Sequence, residues 1–390
     1  MNGTVPNKSD LAAWRGLIAR PDATRLLAAA VLYLFSSLVI PFCTSEGLAL
    51  LFVVVCAGFF YIQTRTMISL VAPALPAIFL FSISGSMMLP AAFFAIVFGG
   101  ACGAMLLISA KDPFRDTVLV LLPAAAYLAA FLLRGDAANA LLTLLPLPVA
   151  IAAALLVRRC VSFTASVATL TATVGAGLLL AGGVTLAIFG VLDVTLIPVF
   201  LEALADGLTE LLHENAALYA EAGIAFEISE LDIRNMLAML TNLSPALFVL
   251  TAMVTAYFTW RTLCVLLVSF GALPRMPRLL VTPTMSVTAA VLFLIAQLIA
   301  LVANAETATP TGAVAQNLAL ILEPGLALLG TRQLLGRDTP RSCLSLLLLI
   351  AIIYLFFTNP AAALAIAALV GAVHVIISAL HSAKNKKGEP

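Results

Sequence analysis

A chain of 390 residues that is 63% hydrophobic and only 10% charged cannot cover a soluble globule of that size with polar surface, so the composition points to lipid as its solvent. The formal net charge of +1 gives no reason to expect a nucleic-acid partner, and the useful information lies in where each sign falls along the chain. Cys43, Cys56, Cys102, Cys160, Cys264 and Cys343 form no CxxC and no zinc-type spacing with histidine; they are expected as small apolar core residues, with no metal site and no cofactor implied.

Residues 1–25 carry polar and basic side chains, and no A-x-A site follows the first apolar stretch, so they are expected as a retained cytoplasmic segment in which Leu11–Arg20 lies at the interface. A crossing needs roughly 20 apolar residues at about 1.5 Å rise each. Stretches of that kind predict an N-terminal membrane bundle within 26–190, with seven spans at 26–43, 47–62, 67–83, 87–109, 117–133, 139–157 and 162–190. A C-terminal bundle within 237–381 follows, with five spans at 237–259, 284–303, 313–330, 342–358 and 361–381, and then a basic cytoplasmic tail at 382–390. The expected fold is therefore all-α, a polytopic transmembrane helix bundle of about twelve spans. Ten spans result if two neighbouring segments do not cross: Pro73 and Pro76 interrupt 67–83, and the pair around Asn359-Pro360 also has the form of a re-entrant hairpin. The segment Arg261–Gly271, followed by LPRMPR, reads as a separate interfacial helix.

With twelve crossings, 18 of the 20 basic residues fall on the side of the N-terminus, and only Arg134 and Arg234 fall on the other. The positive-inside rule then places both termini in the cytoplasm of a bacterial cytoplasmic membrane and residues 191–236 outside. Small residues at helical spacing, Gly99 with Gly103, Gly177 with Ala181, and Ala363 with Ala367 and Gly371, mark candidate close contacts between helices.

The long polar interruption from Val191 to Arg234 holds nine carboxylates against one basic residue. Ile197–Ala220 reads as an amphipathic helix whose leucines form one stripe and whose Glu202, Asp206, Glu210 and Glu214 form an outer acidic face. Like charges at that spacing repel by a few tenths of a kcal/mol each, which solvent, a cation or a basic partner would offset. After a turn at Ala222-Gly223, a second helix capped at Ser229 runs on into the 237–259 span, so residues 191–236 are expected as an extracytoplasmic hairpin.

A sharper feature is Gln316–Gly330. On a helix, Gln316, Ala319, Glu323, Ala327 and Gly330 share one narrow face among leucines, so that face must turn into protein or a cavity. Glu323 lies near mid-span, where a carboxyl costs about 2.5–3.5 kcal/mol to insert, and Pro324 and Gly325 break the local ladder beside it. That combination suits a ligand or proton-coupling site, and a structural Glu bridging two helices is the competing reading. Asn242, Gln297 and His374 are the other polar residues at depth, and Asn242 and Gln297 are taken with Gln316 as candidate lining of the site. No GxxxxGK[ST], HExxH or GxSxG occurs, and no nucleophile, base and oxyanion donor assemble, so no enzyme activity and no ATPase is expected.

Four segments, FLEALADGLTELLHENAALYAEAG, SELDIRNMLAMLTNLSPALF, RTLCVLLVSFGALPRMPR and NLALILEPGLALLG, together resemble the YybS-like family of bacterial membrane proteins across roughly residues 190–335. That family is distantly similar to the substrate-binding membrane subunits of energy-coupling-factor vitamin transporters, so the resemblance implies small-molecule binding or uptake. Two readings follow from the sequence: a small-solute binding or transport subunit, and a non-transporting envelope scaffold whose acidic hairpin docks a partner protein.

Overall fold

A computed structural model of the chain describes residues 21–42, 45–66, 68–109, 144–188, 230–302, 310–335 and 358–387 continuously, with scattered residues among 14–19, 117–132 and 351–355. Among the described residues all regular structure is helical, and six helices are long and apolar enough to cross a membrane. The expected spans at 117–133 and 342–358 fall largely outside the described residues. Of the hairpin expected over 191–236, residues 191–229 lie there, with Glu202, Asp206, Glu210 and Glu214. The chain divides into two compact units, residues 1–188 with 251–282 and residues 189–250 with 283–390.

The first unit contains α1 (Ala23–Phe42), α2 (Glu46–Thr64), α3 (Ile68–Ser84), α4 (Met88–Ile108), α5 (Pro146–Arg158), α6 (Phe163–Ile188), the C-terminal part of α7 (Glu230–Ser269) and the single turn α8 (Arg278–Val281). Its centre is α4, with 83% of its apolar window buried against 22% for α2. The run of small residues Gly99–Ala104 explains this position, because neighbours can approach where side chains are missing. A Cβ on Gly99 would stand 3.0 Å from the Cβ of Pro146, and one on Gly103 would stand 2.8 Å from the Cβ of Ala150 and 2.9 Å from the ring of Tyr33. The stripe expected at Gly99 and Gly103 therefore seats α1 and α5. α3 stays helical through Pro73 and Pro76.

Two sets of bonds tie chain segments at the ends of these helices. The Trp14 indole donates to the Val157 carbonyl at 2.7 Å, the Ala19 amide to Ala272 at 2.8 Å, Arg25 to Ser269 at 2.7 Å, and Arg158 to Leu107. Separately, Glu46 accepts from the Ser86 hydroxyl at 2.7 Å and from the Met87 amide at 2.6 Å.

One element differs from expectation. The 237–259 span and the interfacial helix at Arg261–Gly271 are one helix of 40 residues, α7, roughly 60 Å long at the usual rise. At the expected boundary Thr259 donates to Thr255 one turn back at 2.8 Å, and the fully buried Trp260 donates to Leu280 at 2.9 Å. With Leu263, Leu266 and Leu267 also buried, the segment joins the core of the first unit, so residues 251–282 group with N-terminal helices although they follow the acidic stretch. The chain leaves α7 through Gly271, whose φ of +74° is the left-handed conformation glycine adopts without strain. Of the span expected over 139–157, residues 139–143 lie outside the described residues, and α5 accounts for most of the rest.

The second unit is built on α9 (Val287–Val302), α10 (Pro310–Leu335) and α11 (Pro360–Lys387), with the N-terminal part of α7. Ala290, Phe293, Ala296, Leu326, Ala367, Ala368 and Ala372 make its core. α11 starts where Asn359 caps it, the side-chain oxygen accepting from the Ala362 amide at 3.1 Å, with Pro360 in the first helical position. Alanine and glycine dominate the α10–α11 contact, and the stripe expected at Ala363, Ala367 and Gly371 is the buried side of α11.

Candidate functional site

α10 presents two chemically distinct sides. Ala315, Ala319, Glu323, Leu326, Ala327 and Gly330 are buried, whereas Val314, Leu328 and Leu335 are exposed, as a small and polar seam on an apolar helix requires in lipid. Glu323 is 9% exposed and is the one buried ionisable carboxyl among the described residues. It has no hydrogen-bond or ion-pair partner among them. The helix runs through Pro324 without ending, so the Leu320 carbonyl loses its usual donor at residue 324. Gly325 faces Met285, whose sulfur would lie 3.2 Å from an added Cβ. An isolated carboxyl, a carbonyl without its usual donor one turn back and a flexible thioether beside the glycine thus adjoin Pro324.

The other residues expected at this site are placed unequally. Gln316 is half-buried on the Glu323 side of α10, seven residues and about 10 Å away. Gln297 is half-buried on α9 next to buried Ala296, and no hydrogen bond joins it to Glu323 among the described residues. The Asn242 side chain is exposed, and its carbonyl rather than its amide meets α10. His374 on α11 is half-buried, 3.5 Å from the Ser378 hydroxyl.

Asn317 is the functional-looking residue that sequence reasoning passes over. Its amide nitrogen donates to the Asn242 carbonyl at 2.7 Å and to Ala313 at 2.8 Å, and its amide oxygen accepts from the Ala246 N–H at 2.9 Å. Asn242 and Ala246 are the acceptor and donor that an unbroken helix would pair with each other. The site is prepared by Pro245, which has no N–H and crowds the Thr241 carbonyl, and the Ser244 hydroxyl takes that carbonyl at 2.8 Å. α7 and α10 each carry an internal proline, and the Asn317 carboxamide joins them near the first of these breaks. The neighbouring Gln316 has the same chemistry but no such partner, so the only prior signal is Asn-x-x-Pro in α7.

No group of three or more His, Cys, Asp or Glu side chains is arranged to hold a metal ion among the described residues. Comparison with protein-family models, with characterised proteins and with solved structures finds no match.

Proposed function

We propose that this chain is a multi-pass membrane protein that binds a small solute at the Glu323 face of α10 and takes part in its passage across the bilayer, without an ATPase of its own. The observation that carries the reading is Glu323 itself: a carboxyl buried in a membrane-capable helix, without a partner among the described residues, beside Pro324 and Gly325. Intramembrane carboxyls are costly and are kept where they exchange protons or meet a solute. Broken helices next to such groups leave backbone acceptors for the same ligand. Gln316 extends the polar seam on the same side, while Gln297 and Asn242 stand further from it. The resemblance to YybS-like proteins points in the same direction.

The proposed topology has about twelve crossings, with both termini cytoplasmic and residues 191–236 outside. Its support is the 18-to-2 distribution of basic residues together with the two sets of end-tying bonds in the first unit. Trp14, Ala19, Arg25, Leu107, Val157, Ser269 and Ala272 all belong to segments assigned to one side, and Glu46, Ser86 and Met87 to segments assigned to the other.

The test is a thermal-shift screen of the full chain in lipid nanodiscs against a panel of small solutes, run in parallel with Glu323→Gln. A solute that stabilises the wild type and not the variant is the expected result. Identical response profiles for the two proteins would remove Glu323 from the site.

A further inference from the structure

In the first unit, α2, α3, α4 and α7 enclose a cleft of about 310 Å³, the size of a small ligand site. Phe60, Phe93, Phe94, Phe98, Tyr257 and Phe258 form most of its wall. These rings brace one another: Phe60 meets Phe98 edge to face at 6.0 Å, Phe93 meets Phe258 at 5.7 Å, and Phe94 stacks on Phe98 at 5.8 Å. Aromatic contacts of this kind make a stiff, preformed apolar slot.

One end of the slot is different. Arg261, Thr262 and Thr64 line it there. Thr255 and Thr259 on the same helix, and Thr64 on α2, each donate to a carbonyl one turn back at 2.8 Å. Thr262 does not: it is 7% exposed, lines the cleft, and has no hydrogen-bond partner among the described residues. Its hydroxyl is therefore open to whatever occupies the cleft. Arg261 is half-buried beside it and forms no ion pair with a described carboxylate: Asp22 sits 4.0 Å from Arg25, and Glu46 is at the far end of α2 from Thr64. Thr64 also borders a polar recess that holds Arg25 and Arg65, so the positive charge continues past the mouth.

An apolar slot ending in a guanidinium, a free hydroxyl and further arginines matches an amphiphile with one hydrocarbon chain and an anionic head. Guanidinium pairs with phosphate through parallel N–H donors, and basic clusters next to a bilayer attract anionic headgroups. We infer that this cleft binds an anionic membrane phospholipid, one acyl chain lying among the rings of α2, α4 and α7 and the phosphate resting against Arg261 and Thr262. The site shares no residue with the Glu323 face, so either assignment can fail without the other.

The experiment uses the full-length protein in a neutral detergent, stripped of lipid, with thermal stability measured on adding phosphatidylglycerol, phosphatidylcholine with the same acyl chains, or inorganic phosphate. Phosphatidylglycerol is expected to raise the melting temperature, and the other two to have little effect. Arg261→Gln should weaken apparent phosphatidylglycerol affinity by about tenfold or more. Arg261→Lys should recover part of it, and Arg275→Gln, outside the cleft, should leave it unchanged. Should Arg261→Gln not fold, Thr262→Val takes its place, with several-fold weaker binding expected. Equal stabilisation by both lipids, stabilisation by inorganic phosphate alone, or full phosphatidylglycerol affinity in the folded Arg261 or Thr262 variant would overturn the assignment.

Discussion

Gly330 on α10 and Gly371 on α11 interlock reciprocally. A Cβ on Gly330 would strike the Ala367 carbonyl oxygen, and a Cβ on Gly371 would strike that of Leu326. Each helix thus uses its own glycine to admit the other's backbone, the close approach that helix association in lipid favours.

A methyl group at either position must push backbone rather than a side chain. Gly371→Ala is expected to destabilise the protein by about 1–3 kcal/mol, read as a lower melting temperature in detergent. Gly58→Ala, where nothing lies within 4 Å of the added carbon, should leave stability unchanged or slightly raised. Equal behaviour of the two variants would contradict the α10–α11 geometry.

Asn317→Leu removes the carboxamide that serves both Asn242 and Ala246. Polar bonds between membrane helices contribute about 0.6–2 kcal/mol, and a loss of that size is expected in unfolding measurements. Gln316→Leu, which breaks no such bridge, should cost less. If Gln316→Leu is the more damaging change, α7 is not held to α10 through Asn317.

Glu323 should show a conflict between stability and function. Leucine at this position removes a carboxyl whose insertion costs about 2.5–3.5 kcal/mol, so Glu323→Leu is expected to unfold at a higher temperature while losing any solute response. A lower melting temperature for Glu323→Leu would mean that the carboxyl is a structural bridge.

The proposed orientation can be read in intact cells of a bacterial host with a membrane-impermeant thiol reagent. Ser86→Cys should label from outside, and Arg159→Cys only after permeabilisation. The native Cys56, Cys102 and Cys264 are buried, and Cys43, Cys160 and Cys343 are replaced by serine so that the introduced thiol is the one read. The reverse pattern would invert the topology.

The sequence made the helices legible wherever a local pattern decided the outcome. Hydrophobic length located α2, α4 and α10, the Gly99–Gly103 spacing identified a contact, and the proline after Asn359 marked the start of α11. The small face containing Ala319, Glu323 and Ala327 was also readable, because leucines covered every other direction. What could not be read depends on partners distant in the chain. Nothing near Trp260 says that the Leu280 carbonyl will accept from its indole N–H, so the sequence ends the span ten residues before α7 does. Asn317 has no signal of its own in the chain, because its partner Ala246 lies 71 residues away. The aromatic cleft is assembled from rings on three helices, no two of which show a shared motif in the chain.

The Asn317 bridge also fixes an order of events during synthesis. Ala246 leaves the ribosome 71 residues before Asn317, so at about 5–20 residues per second the break in α7 waits roughly 4–14 s for the amide that closes it. During that interval the Ala246 amide and the Asn242 carbonyl have only each other or water to meet, across the turn that Pro245 disturbs. The newly made α7 is therefore an incomplete membrane helix, and its final seating is a late step of biogenesis that α10 must arrive to perform.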